Sequence, residues 1–218
     1  MKPLRFTLLP DGTSDRAFLP ILKWLLENNG IKSPIQGDWA KLGLLPHPPK
    51  TLPERINQSI QLAPCDLLFV HRDAEKEPRE NRINEIHTSL KTIQAHVTVP
   101  VICVIPVRML EAWLLFDEVA IRKAAGNPGG KCQLNLPNLR RCEEIANPKN
   151  ELHSILQQAS ELTGRRLKKF NVYEKIFRVA DLITDFSPLH QLSAFQALET
   201  DIQQTICQQK WKQWGEGD

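Results

Sequence analysis

Cys65–Glu75 reads CDLLFVHRDAE. Its middle, Leu67-Leu68-Phe69-Val70, is a short apolar run of the kind that fills a strand buried on both faces. The run delivers Asp73 and Glu75, two carboxylates separated only by Ala74. An open α/β sheet holds its ligands outside the carboxyl ends of its strands, so acids in that position direct attention to other strand ends.

Upstream, Leu4 to Leu9 reads as a first strand. Pro10 stops its ladder, and Asp11-Gly12-Thr13-Ser14-Asp15 forms a turn. Ser14 or Thr13 is placed to cap the next helix, with Asp15 in the first turn, where the positive end of the helix dipole favours acids. Phe18, Ile21, Leu22, Leu25 and Leu26 recur at helical spacing, and Gly30 suits the helix end. A second strand is expected within Ile35 to Leu45, followed by a loop at Pro46, Pro48 and Pro49. Leu52 to Leu62 has helical periodicity and leads through Pro64 into the central run. Downstream, the charged loop Lys76-Glu77-Pro78-Arg79-Glu80 precedes a helix expected from Asn81 to Ala95. Val97 to Val107 is the next strand, broken by Pro100 and closed by Pro106. Arg108-Met109-Leu110-Glu111-Ala112-Trp113-Leu114-Leu115 then starts a short helix.

Strand–helix alternation through residue 117 argues for an α/β unit with a largely parallel sheet, residues 1–118. From residue 119 the character changes. Gly126-Asn127-Pro128-Gly129-Gly130 and Asn147-Pro148 mark turns, and helices are expected over residues 150–163, 172–184 and 189–212. Residues 119–218 read as a helical extension packed on the sheet unit, without strands.

A chain of 218 residues, 41% of them hydrophobic, is long enough to bury a sizeable core. The net charge of +3 is too small to imply nucleic-acid binding by itself. Residues 1–118 balance to zero and residues 119–218 hold the whole excess, so any phosphate-facing bias belongs to the C-terminal part. Five cysteines without CxxC spacing argue against a zinc site or a disulfide framework and fit a reducing compartment. Cys65 and Cys103 read as small core residues. The opening MKPLRFTLLPDG has no long apolar core of a signal peptide, and no run reaches membrane-spanning length. A soluble, cytoplasmic protein with no membrane partner is the expectation.

Acids follow three strands: Asp11 and Asp15 the first, Asp73 and Glu75 the central one, Glu111 the later one. Each motif alone also reads as a helix cap or a solvated loop. If the strands are parallel, all three ends share one edge, where gathered carboxylates resist ionising together. A divalent cation resolves that conflict, and hard oxygen ligands suit Mg²⁺ or Mn²⁺. Such an ion activates water and stabilises the attacking and leaving oxygens of phosphodiester cleavage.

Asp11-Gly12-Thr13-Ser14-Asp15 resembles the EGxTE motif that opens TOPRIM domains, and Asp73-Ala74-Glu75 resembles their DxD motif. Glu111-Ala112-Trp113-Leu114-Leu115 resembles the E-A-W-L motif of small bacterial TOPRIM-like proteins, which are related to nucleases of the overcoming-lysogenisation-defect class. The resemblance covers residues 4–117 and implies a TOPRIM-like, Rossmann-like fold. It implies Mg²⁺, or Mn²⁺, held by Asp11, Asp73 and Glu75, with Asp15 and Glu111 completing a second metal or its water shell. Asp11, Asp73, Glu75 and Glu111 would then be the catalytic set of a nuclease acting on nucleic acid. The resemblance places such a protein in bacterial defence or mobile-element biology, often beside an ATPase partner. Asp11 and Asp15 stand where the family has Glu, and Glu75 where it has Asp, so the backbone must adjust to keep the site.

A catalytically silent TOPRIM-like module that binds a partner protein or nucleic acid is the alternative. A phosphatase or nucleotidyl-transferring enzyme on a small substrate uses the same metal chemistry. His71-Arg72-Asp73 spells a kinase HRD, but the required Asn is replaced by Pro78 and no glycine-rich loop precedes it. His71 lies beside the acids and is expected to face away from them, with Arg72 facing the site, or the reverse. His47, His87, His96, His153 and His190 have no metal-ligand spacing. Arg165-Arg166-Leu167-Lys168-Lys169 is the densest basic cluster, readable as a solvated helix end or as a nucleic-acid contact. Arg108 can steady a phosphate or pair with Glu111. Trp113 is expected in the core, and Trp211 and Trp214 to dock on the body or mark a partner surface.

Overall fold

The computed structural model describes residues 2–75, 77–93 and 97–211. His96 and Trp214, and the end of the helix expected to reach Ala95, lie outside the described residues. Four strands, β1 (Leu4–Leu9), β2 (Ile35–Trp39), β3 (Leu67–His71) and β4 (Val101–Val104), form one sheet in the order β2-β1-β3-β4. All three pairings are parallel, with Phe6 opposite both Gly37 and Leu67, and Val70 opposite Cys103. Helix α1 (Phe18–Asn28) joins β1 to β2, α2 (Leu52–Leu62) joins β2 to β3, and α3 (Arg79–Thr92) joins β3 to β4. Beyond β4 the described residues form only helices and turns: α4 (Glu118–Ala125), α5 (Pro148–Ser160), α6 (Gly164–Lys168), α7 (Val172–Leu182) and α8 (Ser193–Gln208).

Side chains alternate across the strands and divide the core into two layers. Leu67 and Phe69 join Phe6, Leu8 and Val104 in a cluster that takes in α1, α4, α5, α7 and α8. Leu68 and Val70 point the other way, toward Ile56 of α2 and Ile86 of α3. A strand covered on both faces must be apolar at consecutive positions, which is why LLFV reads as an unbroken run. Cys65 and Cys103 are buried in the second layer.

Local signals set the helix limits. Thr51 and Glu54 cap α2 reciprocally: the Glu54 N–H donates to Thr51 Oγ1 at 3.4 Å, and the Thr51 N–H donates to Glu54 Oε2 at 3.1 Å. α1 ends at Gly30, whose φ of 96° suits glycine. The Gly30 N–H donates to the Glu27 carbonyl and the Ile31 N–H to the Leu26 carbonyl, closing the helix end. Asp117 caps α4, its Oδ1 accepting the Ala120 N–H at 2.9 Å, and Gly126 ends it at a φ of 82°.

Two expectations are corrected. The strand drawn from Val97 to Val107 shrinks to Val101–Val104, because Pro100 and Pro106 cannot donate to a ladder. Residues Thr13–Ala17 form a 3-10 turn, and neither it nor α1 has a side-chain cap. Asp15 instead reaches back, its Oδ2 accepting the Gly12 N–H at 2.5 Å.

Candidate active site at the carboxyl edge of the sheet

Because β1, β3 and β4 run parallel, their carboxyl ends lie on one edge. Asp11 and Asp15 follow β1, Asp73 and Glu75 follow β3, and Glu111 sits in a 3-10 turn, Leu110–Leu114, after β4. The structure draws Asp15 and Asp73 together through a residue expected to face elsewhere. His71 continues the Leu67–Phe69 face of β3, is buried, and packs its ring on Phe18 with centroids 4.6 Å apart. Its Nδ1–H donates to Asp15 Oδ2 at 2.9 Å and its Nε2–H donates to Asp73 Oδ1 at 3.1 Å.

Burial opposes a charge on His71, but the hydrogen bonds and charges of Asp15 and Asp73 outweigh it and push its pKa up to about 9. His71 is therefore an imidazolium at neutral pH, with both ring nitrogens donating. Burial also pushes the Asp15 carboxyl up; the hydrogen bond and charge of His71, with the Gly12 N–H, overcome this and hold it below its usual value.

Glu111 is 3% exposed. Burial pushes its carboxyl up and outweighs the opposing pull of its own backbone N–H and of Lys149, with the charges of Asp73 and Asp15 adding smaller upward pushes. Its Oε1 is buried without a hydrogen-bond partner, and the nearest cation, Lys149 Nζ, stands 3.9 Å away. Of the alternatives for Arg108, the pair with Glu111 does not form: among the described residues the ion-pair partner of Glu111 comes from α5.

Asp11 stands apart from this group. Its Oδ1 accepts from Arg72 at 2.7 Å and from Arg55 at 3.4 Å. Arg55 also donates to the Pro10 carbonyl at 2.5 Å. Arg72 bonds Glu85 at 3.0 Å, Glu85 bonds Arg82 at 3.1 Å, and Arg82 returns to the Asp73 carbonyl at 3.0 Å. A guanidinium ring thus braces the backbone that carries the acids. A cleft of about 400 Å³ opens beside Asp11, lined by Trp39, Leu44, Pro49 and Arg55. Glu75 is exposed, with a φ of 56°, and forms no ion pair among the described residues.

Among the described residues, no three His, Cys, Asp or Glu side chains form a ready metal site. The donor chemistry nonetheless suits a hard cation. Glu111 keeps a buried oxygen that accepts no hydrogen bond, in the repelling field of the Asp73 and Asp15 carboxylates. Asp15, Asp73 and Glu111 supply the oxygen ligands that Mg²⁺ or Mn²⁺ prefers.

Sequence reasoning turns His71 the wrong way and misses Lys149 and the Arg55–Arg72–Arg82 brace. His71 was legible: it stands two residues beyond Phe69 and two before Asp73, on one face of the strand. Lys149 and Arg55 were not, since each reaches the edge from a helix distant in sequence.

No protein-family model matches the chain, and neither does any curated protein or solved structure. The class of protein therefore rests on architecture alone: an α/β chain with a four-stranded parallel sheet flanked by helices, consistent with a Rossmann-like fold. Among the described residues no helix is long and apolar enough to cross a membrane.

Proposed function

We propose that this protein is a divalent-metal-dependent phosphodiester hydrolase of TOPRIM type, acting on nucleic acid. The observation that supports it most is the buried Oε1 of Glu111, which accepts no hydrogen bond and lies within the field of Asp15 and Asp73. Those three residues would hold Mg²⁺ or Mn²⁺, while Asp11 and Glu75 stand outside that group. A bound divalent ion activates water and neutralises charge on the scissile phosphate.

The chain's own residues divide the remaining work. His71 positions Asp15 and Asp73, holding one proton at each ring nitrogen. Arg55 and Arg72, oriented by Asp11, offer guanidinium groups to a phosphate, which their planar fork suits. Lys149 is a further cation at the Glu111 side.

The test is cleavage of plasmid, single-stranded DNA and RNA with Mg²⁺ and with Mn²⁺, comparing wild type with Asp73→Asn and Glu111→Gln. Cleavage should fall about 100-fold or more in each variant, the scale of losing one electrostatic stabiliser of a transition state. Unchanged cleavage in both variants, or none from folded wild type with either metal, would overturn the proposal.

One observation favours a second reading. The His71 imidazolium already neutralises Asp15 and Asp73 without a metal. A binding module for nucleic acid or a partner protein, needing no ion, is consistent with that. Nucleic-acid binding in EDTA, with no cleavage once Mg²⁺ or Mn²⁺ is supplied, separates it from the enzyme.

A further inference from the structure

Residues 164–169 concentrate positive charge. Arg165, Arg166, Lys168 and Lys169 are exposed on and just after the single turn of α6, and among the described residues none of them forms an ion pair. A solvated helix end is not sufficient to explain them. One or two cations satisfy the last carbonyls of a helix, but four with no acidic partner repel one another. An external polyanion relieves that repulsion.

An aromatic residue follows this patch four residues after Lys169. Tyr173, at the start of α7, is 66% exposed, although its neighbours Val172 and Ile176 are buried. Its ring meets His153 edge-on, with centroids 5.1 Å apart. His153 lies one helical turn along α5 from Lys149, and Lys149 is the cation nearest Glu111. The exposed ring is thus linked to the candidate active site through His153, Lys149 and Glu111, and the basic turn precedes the ring along the chain. Helix α7, which carries Tyr173, also packs against both 3-10 turns that carry Asp15 and Glu111.

We infer that this track binds single-stranded nucleic acid, with α6 cations on the backbone and a base stacked on Tyr173, leading the strand toward Glu111. A protruding ring needs an exposed base face, which a paired and stacked duplex withholds and a single strand offers. Exposed cations combined with an exposed aromatic face are what sequence-tolerant strand binding uses. This deepens the hydrolase reading and rests on nucleic acid being its substrate, but it makes a claim about binding that stands without catalysis.

The experiment is fluorescence anisotropy with a labelled mixed-sequence DNA strand of about 16 nucleotides and its duplex, in EDTA, over a range of salt. The single strand should bind more tightly than the duplex. Tyr173→Ala should weaken it about tenfold, and Tyr173→Phe, which keeps the stacking face, should not. Replacing all four α6 cations by alanine should make the log–log salt dependence shallower by up to about 3, at roughly 0.7 per lost phosphate contact. Circular dichroism and melting confirm that each variant is folded. Equal binding of strand and duplex, or no effect of Tyr173→Ala, overturns the track. So does binding to anionic lipid vesicles with none to the oligonucleotide. Strand binding with this profile but no cleavage with metal supports the track while removing the hydrolase.

Discussion

Two carboxylates share one imidazole at His71, and the charge on that ring governs how the acidic edge responds to pH. The folded pKa of about 9 lies above the ordinary histidine value of 6.5. A raised folded pKa means that protonation favours the native state, so the stabilisation is fully present below pH 6.5 and is lost as pH rises through 9. Asp15 has the opposite sign: its folded value lies below 3.8, so its share is present above that pH and disappears as the solution becomes more acidic. These are two ends of one ion pair and are counted once. Stability should therefore be highest between about pH 4 and 6.5 and decline by roughly 3 kcal/mol between pH 6.5 and 9. Urea denaturation in EDTA over that range checks it. His71→Gln should lack the alkaline decline, because an amide does not titrate there. A wild-type profile that is flat from pH 6.5 to 9 would show that the ring is neutral and that only one of the two carboxylates accepts from it.

Among the elements, the edge strand β2 shows how a single missing side chain sets a packing arrangement. Gly37 lies opposite Phe6, and a Cβ at Gly37 would come within 2.3 Å of the Phe6 ring. Phe6 is fully buried and meets Phe69 edge-on at 5.4 Å, so it cannot retreat without disturbing the first layer. Gly37→Ala should then cost about 1–3 kcal/mol, the range for overpacking a close-packed core, read as a lower urea midpoint. An unchanged midpoint would mean that β2 shifts outward freely at its unpaired edge. Periodicity and capping residues made most elements legible: β1, α2 and the apolar run of β3 follow directly from Leu4–Leu9, Thr51–Leu62 and Leu67–Val70. Helix α4 escaped although its buried stripe, Ala120, Ile121, Ala124 and Ala125, recurs at helical spacing and Asp117 and Gly126 bracket it as cap residues. The acids were legible as strand-end residues. Their pairing was not, because the partner of each is decided by side-chain direction: His71 turns inward to join Asp15 and Asp73, while Asp11 turns to Arg72.

Across the whole molecule, the apolar layer under α1 does not stop where the sheet ends. Trp113, fully buried, lies edge-on to Phe18 of α1 at 5.6 Å and to Phe195 of α8 at 5.4 Å. Trp211 is buried in the same cluster, together with Ile121, Leu152, Ile176 and Leu198 of α4, α5, α7 and α8. A fragment of residues 1–118 would strip this cover from Phe18, Ile21, Leu110, Trp113, Leu114 and Leu115, all of which are buried in the full chain. Exposing a large apolar side chain costs about 1.5–3 kcal/mol, and a domain is stable by only about 5–15 kcal/mol in all. Uncovering six such residues removes roughly as much as the whole margin, so the fragment should not fold cooperatively. It should show a broad urea profile and bind a hydrophobic dye, whereas the full chain should unfold in one transition. The same dependence reaches the acidic edge: the turn that holds Glu111 packs on α5 and α7, and its only ion-pair partner among the described residues, Lys149, belongs to α5. A fragment that unfolded sharply would show that the sheet with α1, α2 and α3 suffices for folding. The C-terminal helices would then act on Glu111 alone, supplying its lysine and its burial.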